Sequence, residues 1–245
     1  RYPLSTMPDI PLAPRNIRNT LQAKNFFDCN CHFTTTEWQR EQYPEGMRGF
    51  ISVLRKCVDT EFFAPAPASR FSFGDCELTE RQEIVTLSVR DAARLREGGF
   101  WCELPSLLSA RPDCHVVLIS TGKEVRLDSL RESMAAFPSG MRGRIHLLDF
   151  LPPGAYRDLL CVSSLHLCKD ISFMLPSELL EAMSCGCVVL APDTGAVREV
   201  LSDGQNGFLY PSGRRMNWVM LITLLLERRS ELLSIRRNAR KTVFG

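Results

Sequence analysis

The chain lacks several features that would place it in a common class of protein. Its formal net charge is only +2 over 245 residues, which argues against general nucleic-acid binding. No apolar run is long enough to span a bilayer, and no internal repeat or low-complexity tract is present. We find no signal peptide, although the chain begins with Arg1 rather than Met. We expect a cytoplasmic location, with peripheral attachment to a membrane left open.

Zinc-type cysteine spacing is also missing. The chain has ten cysteines, but Cys29/Cys31 and Cys185/Cys187 form C-x-C pairs and not the C-x-x-C pairs of zinc sites. Several cysteines fall within predicted strands or helices, where a reduced thiol behaves as a small hydrophobic group. We therefore predict reduced, mostly buried thiols in a reducing compartment.

From about residue 71 to the C-terminus, apolar strands alternate with helices. The predicted strands are 84–89, 115–120, 144–148, 164–168, 187–190 and 207–210. The predicted helices are 100–110, 127–137, 155–162, 177–185, 216–228 and 231–243, with a helical turn at 197–201. Such alternation is typical of a parallel sheet covered by helices on both faces. Right-handed crossovers then give a Rossmann-like, doubly wound α/β fold, in which ligands bind beyond the carboxyl ends of the strands.

The N-terminal part has a different character. The segments expected there are a proline-rich loop over 1–15, a helix over 19–28, strands at 33–36 and 51–54, and a helix over 37–41 capped by Thr36. An Ala- and Pro-rich connector follows, and we place the domain boundary within it.

One stretch of the chain, LLEAMSCGCVVLA, is especially informative. Leu179 and Met183 recur at helical spacing and predict a buried face, and Gly186 can take the left-handed conformation that ends a helix. Residues 187–190 are continuously apolar, as in a strand covered on both faces. Glu181 is a charge within this apolar helix, and burial of a carboxylate is costly unless something binds it.

Four segments, in order, resemble GT-B glycosyltransferases of the large retaining family 4 (glycosyl transferases group 1). Residues 52–65 resemble the interdomain hinge, and 144–152 resemble the strand before the base-binding loop. Residues 181–186, EAMSCG, match the family's EAMACG motif, and 193–209 match its D.G...E....DG..G.L motif. An earlier segment, 34–40, resembles the end of the N-terminal domain in a bacterial branch of the family.

The resemblance implies two Rossmann-like domains that are only partly present, so that the chain looks truncated at both ends. Residues 1–63 would be the end of an incomplete acceptor domain, 64–70 a linker, and 71–245 the C-terminal domain that binds the nucleotide sugar. The implied activity is transfer of a sugar from a nucleoside diphosphate sugar to an unknown acceptor, either glycan, lipid or protein, with retention of anomeric configuration. A non-catalytic pseudoenzyme or nucleotide-binding scaffold is the alternative. A sugar-nucleotide epimerase or a phosphorylase fits less well.

The resemblance also assigns roles to residues. Glu181 would accept hydrogen bonds from the ribose diol. Arg90, directly after the first predicted strand of the domain, would bind the diphosphate. The family's later Lys has no clear match, because Gly98 stands close to its expected place. Arg96, with Arg94 nearby, either supplies that charge or lies on a solvated loop.

Further donor contacts follow from the same resemblance. Ser177 and the amide of Glu178 would offer free N–H groups at the start of a helix, with Pro176 at its first helical position. Leu151 precedes the base-binding loop.

One position departs from the family. Phe173 stands where the E-x7-E motif has its first glutamate, which weakens the case for recognition of the sugar hydroxyls. Glu178 either compensates for this loss or simply faces solvent.

We assign no residue of the sequence as a catalytic base and predict no metal site. His115, His146 and His166 fall in predicted strands, which favours core packing, and His32 matches no motif. Retaining enzymes of this fold need no protein nucleophile, because the leaving phosphate assists the attack. No D-x-D motif is present, so we expect neither a metal nor another cofactor.

Overall fold

A computed structural model describes residues 26, 28–66, 70–97, 99–121, 126–169, 173–212 and 216–244 of the protein. The predicted loop over 1–15, nearly all of the predicted helix over 19–28, Gly98 and the Arg94 side chain lie outside this description.

The described helices and strands follow one another closely along the chain. The strands are β1 (His32–Thr34), β2 (Ile51–Val53), β3 (Arg70–Phe73), β4 (Cys76–Thr79), β5 (Glu83–Val89), β6 (Cys114–Ser120), β7 (Ile145–Leu148), β8 (Leu165–Leu167), β9 (Val188–Asp193) and β10 (Phe208–Pro211). The helices are α1 (Glu37–Glu41), α2 (Glu45–Arg48), α3 (Ala92–Glu97), α4 (Gly99–Ala110), α5 (Asp128–Met134), α6 (Ser139–Arg142), α7 (Pro153–Val162), α8 (Ser177–Ser184), α9 (Gly195–Arg198), α10 (Trp218–Glu227) and α11 (Arg229–Phe244).

The chain divides into two compact units. The first comprises the described residues within 1–56, 172–175 and 194–200, and the second comprises the others. In the first unit, β1 pairs in parallel with β2. Thr36 caps α1, as predicted: its hydroxyl accepts a hydrogen bond from the Gln39 amide, and the Gln39 side chain accepts one from the Thr36 amide.

The second unit contains a six-stranded sheet in the order β10-β9-β8-β5-β6-β7, in which every pair is parallel. The chain builds one half of the sheet outward from β5 and then starts the other half at β8, directly beside β5. This is the doubly wound Rossmann-like order, and it confirms the predicted fold class.

The two faces of this sheet bury separate parts of the core. Successive side chains of β6 alternate between them, because residues of a strand point to opposite faces. Val116 and Leu118 join a cluster with Phe100 of α4 and Trp218 of α10. The intervening β6 residues pack with Leu159 of α7 and with the β3–β4 hairpin in a second cluster. Two-sided burial explains why these strands are continuously apolar.

Five short elements of the described chain were not predicted from the sequence: strands β3 and β4 and helices α2, α3 and α6. Strands β3 and β4 form an antiparallel hairpin that turns at Gly74, whose φ is +58°. Residues 92–97 form helix α3, so the solvated loop, one of two alternatives for Arg94 and Arg96, is wrong for the backbone. Within the described part of the chain, no helix has both the length and the apolar character needed to cross a bilayer.

The predicted left-handed glycine ends helix α8. Gly186 has φ +71°, its amide donates to the Met183 carbonyl at 3.1 Å, and the Cys187 amide donates to the Ala182 carbonyl at 2.9 Å. These two bonds define a Schellman motif, which leads the chain directly into β9.

Gly186→Ala is expected to lower the free energy of unfolding by about 1 to 2 kcal/mol, because an L-residue is strained at this φ. The added Cβ would lie 3.6 Å from Pro65 Cγ, an ordinary contact, so the loss would come from the backbone. Urea denaturation measures it. Gly154→Ala is the matched control, since that helical glycine has nothing within 4 Å of an added Cβ. An equal loss in both variants would contradict the assignment.

Candidate functional site

The sheet changes direction between β5 and β8. The chain leaves the carboxyl ends of these neighbouring strands toward opposite halves of the sheet, which opens a crevice at that edge. Arg90 directly follows β5, and α8 begins ten residues after β8 ends. The topology therefore brings the start of α8 and the residue after β5 to the same edge.

A cavity of about 600 Å³ lies at this edge, entirely within the second unit. Its volume is in the range of small-molecule sites. The lining residues come from the ends of β5 and β6, the loop between β7 and α7, the start of α7, helix α8 and the segment before β3. They are Phe63, Ser88, Arg90, Ile119, Ser120, Thr121, Phe150, Leu151, Pro153, Tyr156, Ser177, Glu178 and Glu181.

Five of the seven residues predicted to bind the donor lie together on this cavity. They are Leu151, Arg90, Ser177, Glu178 and Glu181. The sixth, Arg96, is exposed on α3 and is not among the described lining residues.

The seventh, Phe173, belongs to the first unit. It is 8% exposed, packs against Trp38 with ring centroids 5.5 Å apart, and its carbonyl accepts a 2.8 Å hydrogen bond from the Gln39 side chain. It too is absent from the described lining of the cavity. Its surroundings are those of a packing residue.

Of the two alternatives for Glu178, simple exposure to solvent does not hold, because the residue lines the cavity. Its side chain is 13% exposed, and one carboxylate oxygen lies 3.7 Å from Arg90 Nη2. The Arg90 side chain is 49% exposed. A mostly buried carboxylate needs a counter-charge, and Arg90 supplies it while keeping half of its own surface open.

The first turn of α8 has no side-chain cap. Pro176 occupies the N-cap position in an extended conformation, one residue before the first helical position predicted for it. Ser177 and Glu178 follow it and line the cavity. The positive end of the helix dipole and its free N–H groups therefore lie beside the cavity, which suits an anion.

Glu181 lies one turn further along α8, half-buried and on the same cavity wall. Tyr156 of α7 lies near it and was not predicted as a site residue. The Tyr156 hydroxyl is buried next to Ser88 without a well-formed hydrogen bond. Burial raises its pKa well above 10, and Glu178 and Glu181 add to the shift. The hydroxyl therefore stays protonated and is a hydrogen-bond donor.

The three strand histidines do not share one environment. His166 is fully buried in β8, as core packing requires. His115 and His146 are only half-buried, and they pair across β6 and β7 with 3.0 Å between His115 Nδ1 and His146 Nε2.

All ten cysteines are free thiols, and five of them are buried, so the prediction of mostly buried thiols holds for half of the set. Burial raises the pKa of Cys114 and of Cys187 to about 12. These two groups are therefore protonated and unreactive near neutral pH.

Two curated proteins are similar to the chain in sequence. It is 27% identical over 169 residues to alpha-maltose-1-phosphate synthase of Mycobacterium tuberculosis, which covers 68% of this chain and 43% of that protein. It is 30% identical over 154 residues to phosphatidyl-myo-inositol mannosyltransferase of Mycolicibacterium smegmatis, covering 63% and 37%. The chain therefore spans less than half the length of these relatives.

Solved structures share the fold. Anabaena HepE in complex with UDP-glucose superposes with a TM-score of 0.70 at 17% identity, covering 95% of this chain and 63% of that one. The C-terminal domain of the group 1 glycosyl transferase LpcC from Francisella tularensis superposes with a TM-score of 0.56 at 20% identity, covering 76% and 96%. The family described as "Glycosyl transferases group 1" matches residues 104–242, more than half of the chain, and the protein belongs to that family.

Proposed function

We propose that this chain carries the donor-binding part of a retaining glycosyltransferase, which moves a sugar from a nucleoside diphosphate sugar to an acceptor. One observation carries the proposal: Arg90, the uncapped start of α8 and Glu181 line a single cavity at the switch point of the sheet. HepE, which shares the fold, is described in complex with UDP-glucose. A UDP-sugar is therefore the first donor to test.

Each part of the donor has a chemically suited partner on the cavity wall. The ribose diol would donate two hydrogen bonds to the Glu181 carboxylate, and such charge-assisted bonds are stronger than neutral ones. The diphosphate would accept from the amides of Ser177 and Glu178 and bind the Arg90 guanidinium. Leu151, which is almost fully buried at the cavity edge, would contact the base.

The same groups would act in the reaction. Negative charge grows on the diphosphate as the bond to the sugar breaks, and a fixed guanidinium and helix N-terminus stabilise it without reorganisation. We propose that this replaces a metal ion in the transfer. The departing phosphate would then receive the acceptor's proton on the same face of the sugar, which retains the configuration without a protein nucleophile.

Glu181→Gln is expected to weaken binding of UDP about tenfold to hundredfold. The substitution keeps the shape of the side chain and removes its charge, and a hydrogen bond to a charged group contributes about 1.5 to 3 kcal/mol. Isothermal titration of the chain with UDP, and in parallel with GDP and ADP, measures the affinity and identifies the base.

The matched control is Glu132→Gln, which alters an exposed carboxylate on α5 and should leave the affinity for UDP unchanged. If each of UDP, GDP and ADP binds the Glu181→Gln variant as tightly as it binds the parent chain, the proposed ribose contact is wrong. If none of them binds the parent chain, donor binding by this cavity is wrong.

A further inference from the structure

Three side chains that can bind a metal converge where β8 meets α8. They are His166, Cys168 and Glu178, and their ligand atoms all lie within 4.8 Å of one another. In the described part of the chain, no other group of three such side chains is this close. His166 and Cys168 are two residues apart, so they project on the same face at the end of the strand. Glu178 comes from the first turn of α8.

The ring of His166 is buried with one nitrogen unused. Its Nε2 atom has no hydrogen-bond partner, an uncommon state for a buried polar atom. The Thr86 hydroxyl lies 2.9 Å from the other ring nitrogen, Nδ1, and 3.3 Å from the Leu165 carbonyl.

A hydroxyl has a single proton, so Thr86 cannot donate to the Leu165 carbonyl and to Nδ1 at once. When the Thr86 proton goes to the carbonyl, which can only accept, Nδ1 carries the ring proton and donates to the Thr86 oxygen. That tautomer leaves the Nε2 lone pair free to face Cys168 and Glu178. A histidine oriented in this way through its second nitrogen is the usual form of a metal ligand.

We propose that His166 Nε2, Cys168 Sγ and a carboxylate oxygen of Glu178 bind a thiophilic divalent cation such as Zn²⁺. Nitrogen, thiolate and carboxylate oxygen are all zinc ligands, and tetrahedral bonds of about 2.0 to 2.3 Å put such ligands about 3.5 Å apart. The three atoms would need to close by about 1 Å. Glu178 can supply much of this movement, because its side chain enters from a separate element at the cavity wall.

Arg90 would compete with the metal ion for the Glu178 carboxylate. It lies 3.7 Å from the Glu178 carboxylate, so the ion and the guanidinium would share one partner. A thiolate and a carboxylate together neutralise a divalent ion, which lets Arg90 turn toward the open cavity. This site does not depend on the proposed glycosyl transfer, which needs no metal.

Cobalt(II) absorption tests the site without any nucleotide, because Co²⁺ reports a thiolate ligand by a charge-transfer band in the near ultraviolet. The parent for the experiment is the untagged chain with Cys29→Ser and Cys31→Ser. Those two exposed thiols lie beside His32 in the sequence and would bind cobalt themselves. We expect one equivalent of Co²⁺ to produce the band and one equivalent of Zn²⁺ to abolish it.

The variants identify the ligands. Cys168→Ser should remove the band, and Glu178→Gln should weaken Co²⁺ binding at least tenfold, since loss of an outer partner alone costs that much. Cys114→Ser, a buried thiol in β6, is the matched control and should bind as the parent does. Thermal unfolding shows which variants are folded. If Cys168→Ser does not fold, the Co²⁺ affinity of Glu178→Gln alone decides whether the site exists. The proposal is overturned if the parent shows no band, if the band survives Cys168→Ser, or if Glu178→Gln binds Co²⁺ as tightly as the parent.

Discussion

Arg90→Gln is expected to lower kcat for cleavage of a nucleoside diphosphate sugar about 10²- to 10³-fold, the usual effect of removing one preorganised group that stabilises developing negative charge. The guanidinium is held at the cavity wall by Glu178, 3.7 Å away, and its side chain is 49% exposed. It is therefore oriented by Glu178 and still open to a ligand. Glutamine can donate a hydrogen bond but cannot offset the charge of a departing diphosphate.

Release of UDP from UDP-glucose, with water as acceptor, measures this effect. Arg237→Gln is the control, because it removes an exposed arginine from α11 and should leave kcat unchanged. Arg96→Gln is the informative comparison, since the family resemblance assigned Arg96 to the donor while the structure places it on the exposed side of α3. A larger loss of kcat from Arg96→Gln than from Arg90→Gln would contradict the site described above.

The chain should lose about 2 kcal/mol of stability between about pH 7.5 and pH 5 through the His115–His146 pair alone. Burial lowers the pKa of His146 from 6.5 to about 4, with a smaller effect from His115. Burial and Arg144 lower the pKa of His115, against Asp113, which raises it. Below pH 6.5 these two histidines bind protons in the unfolded chain but stay neutral in the folded chain. The free energy of unfolding therefore decreases as the pH falls to about 4. Each pKa unit of the His146 shift corresponds to about 1.4 kcal/mol, and solvent around the half-buried rings screens part of the effect.

Urea denaturation at several pH values measures this loss in the parent chain and in His146→Gln. The variant keeps a hydrogen-bonding group near His115 but removes the ring whose pKa is lowered most, so its stability should depend less on pH between 6.5 and 4. Carboxylates that titrate below pH 5 are common to both proteins and cancel in the difference. Identical pH dependence in the two proteins would contradict the assignment.

The sheet of the second unit was predictable because its strands carry their own signal. β6 and β9 are apolar on both faces, as Val116, Val117 and Val189 illustrate, and no surface helix gives that pattern. The β3–β4 hairpin was missed for the opposite reason. Its four-residue strands mix polar and apolar residues, and the burial of Phe71 and Leu78 depends on a helix and strands far along the sequence.

The candidate site was only partly predictable. Glu181 and Arg90 stand in motifs with a fixed distance from a strand or a helix start, so sequence sufficed to select them. The electrostatic environments of Glu178 and Tyr156 depend on residues that are distant in the sequence. Glu178 is paired with an arginine 88 positions away. Tyr156 lies near two carboxylates from another helix. Phe173 could not be assigned from its motif position, because its environment is set by Trp38 and Gln39, which lie more than 130 residues earlier.

The turn at Gly186 has a consequence for the opposite end of its helix. Helix α8 has only eight residues, and its last turn is joined without slack to a strand whose register is set by neighbours on both sides. A helix anchored in this way cannot slide or rotate independently of the sheet. The amides of its first turn and the Glu181 carboxylate are thus aimed at the cavity before any ligand arrives, and a ligand would lose little entropy in ordering them. The rigidity of the proposed recognition surface therefore comes from the left-handed turn at Gly186, which lies at the other end of the helix from the first-turn amides.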